Sequence, residues 1–251
     1  MLSKSKVKFI RSLEMKKFRI LHNAFVAEGN KLVADMTGAF ECEWMLAKTS
    51  WMATQGDIPA AELLVDEDDE IHKASFLKTP QEVIAIFKLP TYNIEDADAA
   101  TQLVIALDGI QDPGNLGTIV RLADWFGVEH IVCSLDTADV FSPKAVQATM
   151  GALARVQVHY TDLEAWLKSV SSRSIPLYGT ILDGENIYTQ PLSHSGVIVM
   201  GNEGNGIRPD IAPLISQPLY IPAYPPERAT SESLNVAIAT AIVCAEFRRR
   251  E

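Results

Sequence analysis

Cysteine is scarce in this chain of 251 residues: Cys42, Cys133 and Cys244 stand far apart, with no C-x-x-C pair. That spacing excludes a disulfide framework and a zinc site and fits reduced thiols in a cytoplasmic protein. The histidines (His22, His72, His130, His159, His194) are dispersed too, so no metal is expected. No apolar run reaches the ~20 residues that a membrane-spanning helix needs. A basic N-terminus is followed by neither an apolar h-region nor a small-residue cleavage site, so no secretory signal is expected. An excess of positive charge is missing as well. The net charge is −10, which taken globally argues against nucleic acid as a partner, since phosphate binding needs clustered cations.

The composition is otherwise that of a globular protein. Hydrophobic residues make up 47% and charged residues 22%, enough for a large core and too apolar for disorder. The charge is unevenly spread. Lys4, Lys6, Lys8, Arg11, Lys16, Lys17 and Arg19 crowd the start against one acid, Glu14, while Asp66, Glu67, Asp68, Asp69 and Glu70 form an acidic run. The basic segment reads either as solvated surface or as a contact face for an anionic partner.

Residues 1 to about 90 read as short mixed elements: a strand at Phe25–Ala27, a helix at Asn30–Met36, a strand at Glu82–Phe87. From Leu89 to Ala100, with Pro90 and three acids, the pattern is that of a linker. Beyond it strands and helices alternate. Strands are expected at Leu103–Leu107, Ile131–Leu135, Val156–Tyr160, Leu177–Leu182, Val197–Met200 and Leu219–Ile221, with helices at Gly117–Phe126, Pro143–Met150 and Leu163–Val170. This alternation predicts an α/β fold with a parallel sheet. A last helix, roughly Glu232–Arg249, carries one apolar stripe of Leu234, Ile238, Ile242 and Ala245 and a second of Val236, Val243 and Phe247. A helix apolar on two faces is buried or packs on another subunit.

Parallel sheets bind ligands beyond the carboxyl ends of their strands. Three such ends are unusual here. Asp108 to Gly117 is a Pro/Gly-rich turn that leads into a helix carrying Arg121, anion-site geometry or a plain turn with a surface arginine. Met200-Gly201-Asn202-Glu203-Gly204-Asn205-Gly206 has the wrong glycine order for a dinucleotide fingerprint and lacks the lysine of a P-loop. A sharp turn alone does not explain its carboxylate. In the third, Ile221-Pro222 runs on to Ser231-Glu232-Ser233-Leu234-Asn235-Val236. Ser231 suits a helix N-cap with Glu232 in the first turn. Asn235, amid apolar neighbours, reads as a buried amide in need of partners.

Together these motifs resemble the SpoU (TrmH-like) family of RNA 2′-O-ribose methyltransferases within the SPOUT superfamily. The resemblance rests on Asn115-Leu116-Gly117 with Arg121, the 200–206 glycine run, and Ile221-Pro222 with Ser233-Leu234-Asn235. The region Ser12–Gly29 is similar, more loosely, to a ribosomal-protein-like substrate-binding domain. The resemblance implies an RNA-binding domain at 1–95 and a methyltransferase domain at 102–251, trefoil-knotted over roughly 197–251. It also implies S-adenosylmethionine as cofactor, a homodimer, and RNA as substrate, ribosomal rather than transfer RNA. Arg121 is then nearest the attacking hydroxyl, with Asn115, Glu203, Ser233 and Asn235 as polar catalytic positions and Asn115 orienting Arg121. Met200, Gly201, Gly204, Ile221, Leu234 and Asn235 hold the cofactor, mostly through backbone groups, and Lys16, Lys17 and Arg19 bind RNA. The link at 223–232 is longer than the family's, and Ala237 stands where a serine is frequent.

Ribose methylation needs proximity, a destination for the hydroxyl proton and stabilisation of the growing alkoxide. A guanidinium is a difficult base, so Arg121 either loses its proton transiently or stays charged beside the alkoxide. Two rivals remain: a base-modifying SPOUT methyltransferase, and a non-catalytic RNA-binding or ribosome-assembly protein on the same scaffold.

Overall fold

A five-residue strand, β1 (Ala24–Glu28), opens the first sheet, and every residue in it is buried. It pairs antiparallel with β4 (Val83–Lys88); β4 pairs antiparallel with β2 (Cys42–Ala47), and β2 runs parallel to the edge strand β3 (Ala60–Val65). Helices α1 (Lys4–Ser12) and α2 (Lys16–His22) precede β1, and α3 (Asn30–Thr37), α4 (Thr49–Met52) and α5 (Glu70–Ala74) lie between the strands. The computed structural model describes residues 2–55, 58, 60–65, 70–225, 231 and 233–249. The acidic run at 66–69 and residues 226–230 and 232 of the long link lie outside the described residues.

The chain divides into two units: Met1–Thr91 with Asp139–Arg155, and Tyr92–Ala138 with Val156–Glu251. The first unit is therefore discontinuous. Its core joins Ile10 of α1 and Leu13, the residue that follows that helix, to Val26, Leu46, Ile84 and Ile86 of the sheet. A second cluster holds the borrowed segment: Phe141 packs on Phe25, which also meets Phe40 and Phe87. Within that segment α7 (Pro143–Thr149) starts from Ser142, whose hydroxyl caps it. Gly151 adopts φ +92°, and a β-carbon there would come within 2.6 Å of the Asp35 carboxylate, so only glycine fits.

The second unit is a six-stranded sheet, parallel throughout. Its strands are β5 (Leu103–Leu107), β6 (His130–Ser134), β7 (Gln157–Thr161), β8 (Leu177–Asn186), β9 (Gly196–Met200) and β10 (Gln217–Tyr220), in the order β10-β8-β9-β5-β6-β7. Strands β5 and β9 are buried along their whole length, which is why they read as unbroken apolar runs. Parallel neighbours need crossovers, supplied in part by α6 (Pro113–Trp125) between β5 and β6 and α8 (Leu163–Ser172) between β7 and β8, while α9 (Val236–Arg248) follows the last strand. From β5 the chain steps outward to β6 and β7, whereas β9 and β8 lie on the other side. The order therefore reverses between β5 and β9, and the crevice for a ligand falls between their carboxyl ends.

Three expectations change. The helix expected from Gly117 begins at Pro113, because Asp112 caps it through the N–H of Asn115 and proline suits the first position. Arg121 thus sits two turns inside α6. The last helix starts at Val236, not near Glu232. Its N-cap is Asn235, whose Oδ1 accepts from Ala237 N and Ile238 N, so Ser231 does not cap it. Asn235 is also exposed rather than buried, and the cap accounts for an amide amid apolar neighbours. Finally, the stretch expected to link domains is only partly free. From Tyr92 it belongs to the second unit, with Ala97 and Ala99 buried in its core and Asp98 paired to Arg173. Alanine carries too little periodic signal to have shown this.

Of the two stripes on α9, Val236, Val243 and Phe247 are buried within the unit. The other is left outside: Leu234 and Ile238 are 47% and 54% exposed, and Ala245 is exposed.

Candidate active site

At the β5–β9 crevice, the loops after both strands are bonded to each other. Asp108 N donates to Met200 O at 2.9 Å, and Asn202 Nδ2 donates to Gly109 O at 2.7 Å. The glycine run is a self-closed turn. Asn202 and Gly206 exchange backbone bonds of 3.0 and 2.8 Å, and Asn202 Oδ1 accepts from Gly204 N and Asn205 N. Gly201 has to be glycine, since a β-carbon there would lie 2.3 Å from the Gly206 carbonyl carbon. This turn holds Glu203 toward α6.

There the three motifs meet. Asn115 Nδ2 donates to Glu203 Oε1 at 2.5 Å, and Asn115 Oδ1 accepts from Asn235 Nδ2 at 3.1 Å. Asn235 Oδ1 in turn caps α9. The polar chain runs from the glycine turn through α6 to α9, every donor facing an acceptor, which fixes both amide orientations. Helices α6 and α9 also pack together. At their far end Arg248 Nε donates to Phe126 O at 2.7 Å.

Arg121 is exposed, and no described residue hydrogen-bonds or ion-pairs with it. Asn115 makes no hydrogen bond to it. Six residues on an α-helix turn the direction by about 240°, so the two side chains leave α6 about 120° apart. Ser233 is also exposed and bonds to no described residue.

Of the expected cofactor residues, Met200 is buried, with its carbonyl taken by Asp108 and its sulfur by the Thr180 hydroxyl at 3.6 Å. Gly201 and Gly204 lie in the turn, Ile221 is half-buried, and Leu234 is exposed. Glycine backbone beside exposed apolar side chains is a fitting set for an adenine base. It offers amide edges for the ring nitrogens and aliphatic surface for the ring faces.

The expected RNA residues part company. Lys16 and Lys17 are exposed on α2. Arg19 is only 2% exposed and is spent inside the first unit. Its Nη2 lies 2.6 Å from Asp139 Oδ2, and Nη1 donates to Leu13 O and Glu14 O. It is an internal anchor, not a surface cation. An arginine in a basic segment gave no sign of this, because Asp139 is 120 residues away.

Sequence reasoning also missed Asp108, Asn202 and Arg208. Asp108 Oδ1 and Oδ2 both accept from Arg208, at 2.5 Å from Nε and 2.8 Å from the backbone N. A carboxylate directly after a wholly apolar strand was the available signal, since it demands a buried partner.

A crevice at a reversal of strand order, lined by paired loops and a polar side-chain chain, defines an α/β enzyme that binds its ligand at the carboxyl edge of a parallel sheet. Residues 102–245 match the SpoU rRNA methylase family, and residues 4–85 match an MRM3-like substrate binding domain. The chain belongs to the SpoU rRNA methylase family. It is 30% identical over 245 residues to the 23S rRNA (guanosine(2553)-2′-O)-methyltransferase RlmP of Bacillus subtilis, covering 97% of this chain and 96% of that one. A TrmH-family structure from Porphyromonas gingivalis superposes with a TM-score of 0.91 at 41% identity over 100% of both chains. An AdoMet-bound rRNA methyltransferase from Sinorhizobium meliloti gives 0.84 at 30% identity, covering 100% of this chain and 97% of that one. The chain is an S-adenosylmethionine-dependent methyltransferase of the SPOUT type.

Proposed function

We propose that this protein methylates the 2′-hydroxyl of a ribose in RNA, ribosomal rather than transfer RNA, working as a cytoplasmic homodimer. The observation that carries the reading is Asn115, which joins Glu203 of the second motif to Asn235 of the third. The relatives from Bacillus subtilis and Sinorhizobium meliloti are named as rRNA methyltransferases, which supports the choice of RNA. The exposed Leu234 and Ile238 beside Arg121's helix support a second copy covering that face. The C-terminal segment crosses from β10, past β8 and β9, to lay α9 on α6, a path in keeping with the family's trefoil knot.

When bound, S-adenosylmethionine supplies a methyl group on a positively charged sulfur. The chain's own groups do the rest. Met200, Gly201, Gly204, Ile221 and Leu234 bind it, and the Asn115–Glu203–Asn235 chain keeps the three loops in register so that the reacting atoms meet in line. Arg121 faces the 2′-oxygen and stabilises the charge that grows there. No described neighbour is placed to take its proton, which favours this role over that of a base. The hydroxyl proton passes to solvent or to an RNA phosphate. Ser233 adds a hydroxyl toward the substrate. Lys16 and Lys17 hold RNA on the first unit.

The test is labelled S-adenosylmethionine with total RNA from cells lacking the protein, followed by nuclease digestion. Label on a 2′-O-methylribose of ribosomal RNA is the expected result. Label on a base, or none, overturns the reaction. Light scattering of the intact chain checks the dimer, which a monomer mass would overturn.

A further inference from the structure

Asp108 directly follows the central strand β5, and its side chain is wholly buried, whereas that of its partner Arg208 is 44% exposed. Both carboxylate oxygens are spent on this one residue. A carboxylate without water needs a permanent cationic or N–H partner. Arg208 meets that need twice, through its main chain and through its guanidinium. Its Nη1 reaches outward to 3.8 Å from Asp136.

The position of Arg208 gives the pair its significance. It stands two residues beyond the glycine turn that carries Glu203. The turn is attached to the end of β5 at two places. At the front, Asn202 holds Gly109 O, and Met200 O accepts from Asp108 N. At the back, Arg208 holds the Asp108 carboxylate. A short turn closed on itself moves as one piece, so a single attachment leaves it free to pivot and two fix its angle. That angle decides whether Glu203 reaches Asn115.

We propose that Asp108 and Arg208 form a latch that positions the glycine turn, making both of them positioning residues for the cofactor loop and for Glu203. The inference rests on the S-adenosylmethionine reading above for its consequence, but its mechanical part stands on the protein alone. The backbone bond from Arg208 survives any change of its side chain, so a side-chain variant loosens the turn without freeing it. Removing the guanidinium takes one partner from the buried Asp108 carboxylate and costs stability, but the main-chain bond from Arg208 N remains, so the sheet should still form.

The experiment compares wild type with Arg208→Ala and Arg208→Lys by two readouts. The first is amide hydrogen exchange of the unliganded protein. Arg208→Ala should speed exchange in the 201–208 segment and leave β5 and β9 protected. The second is calorimetric titration with S-adenosylmethionine. Its Kd should rise about tenfold in Arg208→Ala, the order expected from a small misplacement of a binding loop, and recover in part in Arg208→Lys. Unchanged exchange in 201–208, or a rise spread evenly over the sheet, overturns the latch whatever the cofactor does. Local loosening with unchanged cofactor affinity also overturns the positioning role. Wild type that does not bind S-adenosylmethionine, with the exchange result intact, instead sinks the cofactor reading and leaves the latch.

Discussion

Asn115 and Glu203, 88 residues apart in the chain, are joined by a 2.5 Å hydrogen bond from amide to carboxylate. The direction of that bond is fixed by the next one, since Asn115 has only its oxygen left for Asn235. An isosteric exchange therefore tests it more sharply than truncation. Asn115→Asp keeps the shape but sets an acceptor, negatively charged at neutral pH, against another carboxylate. It should lower methyl transfer more than Asn115→Ala, by about 100-fold or beyond, in line with the cost of misplacing a catalytic element by an ångström. Initial rates at saturating cofactor measure this. Equal activity of the aspartate variant and wild type would show that the bond has no part in the reaction.

Arg121 lies outside that chain and is exposed, without a described partner. A residue so placed contributes little to stability, so its role can be isolated. Arg121→Ala should melt within about 1 °C of wild type, the scale of a surface change below 0.5 kcal/mol, and bind S-adenosylmethionine normally. Its transfer rate should fall by roughly 10²–10³, as when one charge-stabilising donor is removed. Single-turnover rates beside a thermal melt separate the two effects. A variant that transfers methyl at the wild-type rate removes Arg121 from the mechanism.

Much of this site was legible because its chemistry-bearing residues sit where strands end. Apolar runs such as Leu103–Leu107 and Gly196–Met200 announce central strands, and the polar residues just after them stand out. Contacts between distant segments were hidden. The role of Asn235 turned on a helix start four residues later than the apolar pattern suggested, and capping is a local geometry that periodicity does not report. The Asp108–Arg208 pair spans 100 residues. The membership of Asp139–Arg155 in the first unit was equally invisible, since a helix inside an alternating α/β pattern looks like any other crossover.

Arg19 and the lysines beside it should behave in opposite ways. Lys16→Glu with Lys17→Glu reverses the charge at two exposed positions, so the fold should hold while RNA affinity drops. The slope of log K against log salt should flatten by roughly 0.7–0.9 for each phosphate that is no longer neutralised. Arg19→Gln takes the buried guanidinium from Asp139, which keeps its bond from Phe141 N, and from the carbonyls of Leu13 and Glu14. It should cost about 3–5 kcal/mol of stability in the manner of a broken buried pair. Filter binding across a salt series, beside denaturant melts, checks both. An unchanged slope in the lysine variant would make the basic N-terminus plain solvated surface.

A histidine pair predicts how the second unit responds to acid. His130 Nδ1 lies 3.2 Å from His159 Nε2 at the β6–β7 pairing, and Tyr92 packs against the His159 ring. Burial, followed by the neighbouring His130, pushes His159 down to about 4, and burial likewise lowers His130. An unfolded chain takes up protons on both rings near the ordinary value of about 6.5. In the folded protein both titrate below that, so the unfolded state binds more protons. Stability is then fully present above about pH 6.5 and falls as the pH drops toward 4. Asp96 opposes the shift at both rings without reversing it. Replacing the ring at the deeper shift, His159→Gln, removes one of the two titrations while keeping a side chain that can bond to His130. Urea melts at steps between pH 7 and 4.5 should show wild type losing stability over that window and the variant losing less. Parallel pH curves for the two proteins would mean that the pair's protonation is not linked to folding.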